Sequence, residues 1–450
     1  MENFFNLNSL VVGDEYRSYR KAIWLYVWLL VFEGALRKWI LPELSTPLLL
    51  VRDPIAIWLT WSGLKNGWIK SGYVTCILIV STISLLFSIL VGHQNILVGL
   101  YGWRIYFFHF PMIFVAAKVL TKDDFFKICR FFLIISIPMT FLVVAQFYMP
   151  QTHWVNRGVG GDMASVGFRG ALGFFRPPGT FSFTSGYVLF QGLVCSCLFL
   201  FLMKNREIEE KYKFKNWLLL LITGCFVVSI PTSISRTLVF ITATYLTSLV
   251  IAAMVKREQM GNVMKFILIG IVIMGVVMSW GIADDATEAM TARFDEAATV
   301  EGSVVEGSII TRYFGSLERA LSSNFPIMGY GLGIGTNVGQ NLMGLGMSYG
   351  FNSEEEWSRI LGECGFLGFF IIGVRLFFSL SILKNSFIVL RDTGDITPWI
   401  FSAGVLLSIP NGQWAQPTEL GMAMMSGVLG LTALKIGQDN YLQYIENDED

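Results

Sequence analysis

Apolar residues in this chain come in long runs rather than in alternation, and the runs recur along nearly its whole length. They cover roughly 22–40, 46–62, 73–92, 96–117, 128–149, 180–203, 216–232, 237–255, 264–283, 361–383, 397–411 and 417–435. Most approach the roughly 20 residues that a helix needs to cross a bilayer core. The pattern predicts an all-α polytopic membrane protein, residues 1–450 forming one integral-membrane domain with about 12 transmembrane helices. The division of 216–255 into two spans can be drawn in more than one way. Two polar stretches, 150–179 and 284–360, stand between runs, and the second is predicted to be large and partly helical. Within it, Ser308 to Ser323 places apolar residues at 310, 314, 317 and 321, the spacing of one helical face, and Asn324-Phe325-Pro326 ends it.

Composition agrees. Hydrophobic residues make up 54% of the chain and charged ones 15%, with a mean hydropathy of +0.57, whereas soluble domains carry about a quarter charged residues. The formal net charge of zero gives no general attraction to nucleic acid. No cleavable signal peptide is expected, because the first twenty residues are mixed polar. The six cysteines lie in or beside apolar runs and imply no disulfide framework. His93, His109 and His153 are scattered and suggest no metal site. No internal repeat is evident.

Charge then orders the runs. Twenty of the thirty-three basic residues fall in the alternate connections 17–21, 65–70, 118–130, 204–215, 256–265, 384–391 and 435. With an even number of spans this places both termini and those loops in the cytoplasm, and 150–179 and 284–360 outside. Fourteen of the fifteen lysines follow the rule, Lys38 being the exception. Twelve of the eighteen arginines lie on the other side or inside the spans: 37, 52, 104, 157, 169, 176, 236, 293, 312, 319, 359 and 375. Orientation alone depletes both residue types, so the retained arginines need a use. A guanidinium is a permanently charged fork suited to phosphate, and it is expensive to bury.

Three outer elements could carry chemistry. Arg312 and Arg319, seven apart, would align on one helix face about 10 Å apart along its axis and could bracket a diphosphate, or simply sit on the wet side of a surface helix. Gly329-Tyr330-Gly331-Leu332-Gly333-Ile334-Gly335 permits unusual backbone angles, as an anion cradle or as a flexible turn. Ser353 with Glu356 has the capping-box spacing, which would put Glu354 and Glu355 in the first turn of a helix entering the membrane, Glu355 within reach of Arg359. Arg169 and Arg176 lie in the other outer loop, Arg176 opening the rigid turn Arg176-Pro177-Pro178-Gly179-Thr180. Arg236 follows Ser233-Ile234-Ser235 between two spans. Arg104, in mid-span, needs an embedded acid such as Glu33, Asp53 or Glu419, or a functional role. Arg37 and Arg52 read as members of structural pairs.

The order of these elements resembles the O-antigen ligase and polymerase superfamily of bacterial integral-membrane glycosyltransferases, which is GT-C-like. The likeness rests on Ser235-Arg236 between adjacent spans, on an Arg-led outer helix ending in Pro-x-x-Gly-x-Gly (Arg312 to Gly331), and on Glu363-x-Gly365-x-x-Gly368. It covers roughly 100–440, with its motifs concentrated in 230–370. It implies glycan transfer from undecaprenyl diphosphate to an acceptor glycan or lipid, at the outer face of the bacterial inner membrane. No cofactor or metal is implied, and a chain-length regulator is a candidate partner. Arg236 and Arg312 match the arginines placed at the donor diphosphate, with Arg169, Arg176, Arg319 and Arg359 assisting. Where ligases carry a His-Asn pair this chain has Glu354 and Glu355, the candidate general bases. That departure favours a polymerase of surface polysaccharide over a ligase. A flippase or exporter of lipid-linked sugars also fits about twelve spans with buried arginines. A metal-dependent transferase would use outer acids such as Asp162, Asp284 or Asp285, but the structured outer loop favours an enzyme over a flippase. On this reading Arg312→Lys abolishes most transfer while insertion into the membrane is unchanged; near-normal transfer by that variant contradicts the role.

Overall fold

The computed structural model describes residues 16–162, 167–279, 281, 283–301, 318, 322, 325–344 and 355–448. Their regular structure is helical apart from one isolated bridge between Arg169 and Phe175. The first half holds α1 (Arg17–Ala35), α2 (Asp53–Lys65), α3 (Gly72–Leu90), α4 (Ile96–Arg104), α5 (Phe110–Val119) and α6 (Lys122–Tyr148). The second holds α7 (Thr184–Lys204), α8 (Asn216–Thr232), α9 (Arg236–Val255), α10 (Met260–Ser279), α11 (Asp284–Glu301), α12 (Asn337–Met343), α13 (Glu356–Cys364), α14 (Gly368–Thr393), α15 (Thr397–Ser408) and α16 (Pro417–Asp448).

Among the described residues, seven helical stretches are long and apolar enough to cross a membrane: Gly72–Leu90, Ile96–Val119, Lys122–Tyr148, Thr184–Lys204, Arg236–Val255, Glu356–Thr393 and Pro417–Asn440. The other apolar runs fall short of that standard for visible reasons. Asn216–Thr232 and Thr397–Ser408 are shorter helices. The run 46–62 is broken into a 3-10 turn, Pro47–Leu50, and a 13-residue helix carrying Asp53 at its start. The division of 216–255 falls at Ser233–Ser235, where Ile234 holds a φ of 44°, a costly conformation for a β-branched residue. The helix expected over 308–323 lies, apart from residues 318 and 322, outside the described residues.

The most apolar stretch of α16 is entirely buried, with α5, α7, α14 and α15 packed around it. Small residues make that possible. A side chain at Gly427 would strike Ile113 of α5, and one at Gly430 would strike Val405 of α15, so the helices approach closely where side chains are absent.

Contacts between loops fall into two sets. At one end Arg130 donates to the carbonyls of Tyr212 and Lys213, Lys204 meets Asp395 at 3.0 Å, Lys211 meets Asp123 at 3.0 Å, and Lys435 donates to Lys118 O at 2.9 Å. At the other, Arg37 donates to Ser182 Oγ (2.8 Å), Trp39 to Trp154 O (3.0 Å), Arg52 to Pro417 O (2.6 Å) and Trp357 to Pro410 O (2.8 Å). The first set joins the lysine-rich connections and the second the arginine-rich ones. In a cysteine-free background, single cysteines introduced as W154C and K211C are therefore expected to react with an impermeant maleimide from opposite faces of sealed vesicles. Labelling of both from one face contradicts the layout.

Candidate functional site

The arginine-rich end is organised by charges that satisfy one another inside the bundle. Glu356, the first residue of α13, is buried and faces two arginines: Arg359 bonds it at 2.8 and 3.0 Å, and Arg375 of α14 at 2.6 Å. Arg359 also bonds Glu363 (2.7 Å) and Tyr106 Oη (3.1 Å). Arg375 donates to Ile409 O and Gly412 O, both at 2.7 Å, and lies 3.8 Å over the Trp414 ring. Two carboxylates and two guanidiniums thus cancel in a dry setting, where a lone charge would be intolerable.

Two further sets follow the same rule. Arg52 bonds Glu33 at 3.0 Å and Arg37 approaches it at 3.5 Å, which places Arg37 and Arg52 in the structural role expected of them. Arg104 contacts both oxygens of Asp53 at 2.8 Å, and His109 Nε2 lies 3.0 Å from the same carboxylate. The acid that answers mid-span Arg104 is therefore Asp53.

The glycine-rich loop serves packing. Tyr330 N donates to Gly362 O (2.7 Å), Gly331 N to Glu363 O (3.0 Å), Phe366 N to Ile327 O (2.8 Å) and Gly335 N to Glu363 Oε1 (2.9 Å). The two glycine motifs at 326–331 and 363–368 thus clasp one another. Gly333, with a φ of 87°, lies so close to α4 that a Cβ would sit 2.2 Å from Val98 O. The amides of Tyr330, Gly331, Leu332 and Gly335 are thus occupied by neighbouring groups rather than turned toward an anion.

A cavity of about 230 Å³ opens at this end, lined among others by Lys38, Gln146, Gln151, Asn156, Arg157, Phe168, Phe175, Arg176 and Ser182, with no carboxylate among the described residues of its wall. Three local structures build it. After α1 the chain makes a π-helical turn, Leu36–Ile40, and such wide turns concentrate at functional sites. Here it turns successive residues Arg37 and Lys38 inward, both buried. The Pro-Pro-Gly turn presents Gly179 O to Lys38 Nζ at 3.0 Å. Buried Gln146 fixes that turn by accepting from Gly179 N at 2.8 Å and donating to Gly179 O at 3.2 Å. Finally, residues 168–176 form a small hairpin. Arg176 N donates to Phe168 O (2.7 Å), and Leu172 and Gly173 both have positive φ, as a tight primed turn requires. Phe174 stacks on Phe147 at 4.6 Å, while Gly170 packs on Ile234. The hairpin holds Arg176 in the cavity wall and leaves Arg169 exposed. It also sits beside the strained turn that leads to half-buried Arg236.

Of the residues singled out from sequence, the cavity gathers Arg176, with Arg236 next to the hairpin that frames it. Arg359 does not line it and is committed to Glu356, Glu363 and Tyr106, so the expected pairing with Glu355 is replaced. Glu355 is half-buried at the N-cap of α13, its Oε2 accepting from Ser358 Oγ at 3.2 Å. The capping-box geometry is not what this helix shows. Glu356 stands at its first position rather than its third, and its carboxylate turns inward to arginines. Ser353, Glu354, Arg312 and Arg319 lie outside the described residues. Sequence reasoning did not select Lys38 or Arg157, although Lys38 carried a signal as the lone lysine off the lysine-rich side. Among the described residues no group of three His, Cys, Asp or Glu comes together as a metal site.

Fold and site together define a helical, membrane-embedded protein with a cationic cavity at one end. No protein-family profile matches the chain, and neither a curated protein nor a solved structure matches it significantly. The weight of the buried salt-bridge set can be measured directly. Glu356→Gln leaves two buried guanidiniums under-compensated and is expected to destabilise the protein by about 3–5 kcal/mol, seen as a lowered thermal midpoint in detergent. A midpoint equal to that of Glu355→Gln contradicts this assignment.

Proposed function

We propose that this protein is a membrane glycosyltransferase that extends a surface polysaccharide. It moves a glycan from an undecaprenyl-diphosphate carrier to a sugar hydroxyl, as the likeness to O-antigen polymerases implies. The observation that carries the reading is the cavity walled by Lys38, Arg157 and Arg176 with no acid among its described lining residues, at the end of the bundle where arginines replace lysines. Such a cavity suits a diphosphate, which carries several negative charges and many acceptor oxygens. In this reading about twelve segments cross the inner membrane, the lysine-rich end and both termini face the cytoplasm, and the cavity faces outward.

In the reaction the acceptor oxygen attacks the anomeric carbon as the bond to the phosphate oxygen breaks. The acceptor's proton passes to a glutamate, Glu354 or Glu355, and the diphosphate departs with an added negative charge. Cations fixed in advance around the departing oxygens stabilise that charge, with contacts worth roughly 3–4 kcal/mol each where water is excluded. Arg176 in the wall and Arg236 beside the hairpin are the proposed contacts, and the family likeness adds Arg169, Arg312 and Arg319. Deletion of the gene followed by a gel of surface and lipid-linked glycan tests the proposal. Loss of the polymer ladder with single repeat units remaining is the expected result. Long chains stranded on the carrier would instead identify a ligase, and units retained inside the cell a flippase.

A further inference from the structure

Among the described residues, every buried carboxylate at the arginine-rich end except Glu419 meets a cation, and every buried cation there except Lys38 meets a carboxylate. At the opposite end buried Lys435 also makes no ion pair among the described residues. Its Nζ, however, donates to two main-chain carbonyls, Ala117 O at 3.4 Å and Lys118 O at 2.9 Å, in the last turn of α5, where the helix dipole favours a cation. Glu419 lies in the first turn of α16, where the dipole favours an anion. Lys38 is different because it lines the cavity. It is 2% exposed, one carbonyl, Gly179 O, takes a single N–H, and Gln146 already bonds that carbonyl. The remaining N–H donors of an ammonium group meet no protein acceptor among the described residues, and two arginines share its cavity.

We propose that the counter-charge of Lys38 is the ligand itself, and that Lys38 is the fixed anion contact around which a diphosphate seats. This deepens the proposed function and rests on its reading of the cavity. A buried ammonium is a compact point charge, held here by the Gly179 carbonyl on a turn that Gln146 braces. Arginines from two other segments can add forked contacts to the same anion. A diphosphate offers the negative charge that Lys38 does not meet among the described residues, together with several acceptor oxygens for its remaining N–H groups.

The test uses the purified full-length protein in detergent and inorganic pyrophosphate, followed by calorimetry at fixed ionic strength. Wild type is expected to bind pyrophosphate more tightly than glucuronate. Lys38→Met weakens that binding at least tenfold, Lys38→Arg weakens it less, and Lys435→Met leaves it unchanged. Wild-type affinity in Lys38→Met, or a preference for glucuronate, overturns the assignment. If Lys38→Met fails to fold, Lys38→Arg decides with a second readout: pyrophosphate must slow acylation of Lys38 in the wild type, and no slowing overturns the proposal. Tighter binding of a short-chain polyprenyl diphosphate supports a lipid-linked source, and equal binding overturns that part in favour of free diphosphate. Failure of the glycan reading is separately visible, as Lys38-dependent pyrophosphate binding by a protein whose loss leaves surface polymer intact.

Discussion

A charge taken into an apolar bundle must meet its opposite there, because neither lipid nor packed side chains can replace water. This constraint shapes the arginine-rich end more than any other. Glu356 joins Arg359 and Arg375, and through them α13 is tied to α14, to the main chain at Ile409 and Gly412, and to Tyr106. Remove the carboxylate and Arg375 loses its ion pair, while Arg359 is left with Glu363 alone. The Glu33 and Asp53 sets do the same for α1, α2 and α4. Charge matching, rather than apolar burial alone, fixes how these helices meet, since lipid tails solvate apolar faces as well as neighbouring helices do.

Backbone irregularity serves the same end. The π-helical turn after α1 lets adjacent Arg37 and Lys38 both face inward, and a second one, Ile105–His109, lies between Arg104 and His109 as they converge on Asp53. The glycine clasp brings the 326–335 loop against α13 and caps Glu363 with an amide. Irregular backbone at this depth is tolerated where it is buried in protein. Each irregularity here either aims a charge or closes a gap beside one.

The helical class, the two-sided segregation of charge and the structural standing of Arg37 and Arg52 were all legible in the sequence. Run length and charge sign are local properties, and those readings rest on nothing else. The partners of the buried acids were not legible. Glu356 was read as a capping residue because its spacing from Ser353 suits one, yet tertiary contact with Arg375, nineteen positions away, decides its orientation. The glycine loop was open to two readings, and its role depends on Glu363 and Val98, distant in sequence. The cavity was partly legible. Arg176 stood out beside its Pro-Pro-Gly turn, while Lys38 needed the π-helical turn to bring it inward, and no periodicity announces such a turn.

The proposed function has the arginine-rich end perform chemistry on a lipid diphosphate. The most direct measurement is incubation of the pure protein, reconstituted in nanodiscs, with a synthetic polyprenyl-diphosphate-linked repeat unit, followed by mass spectrometry of glycan and lipid. The account predicts glycans of two or more repeat units together with free polyprenyl diphosphate, one molecule released per bond formed. An intact donor and no released polyprenyl diphosphate, from protein shown to bind that donor, would contradict it.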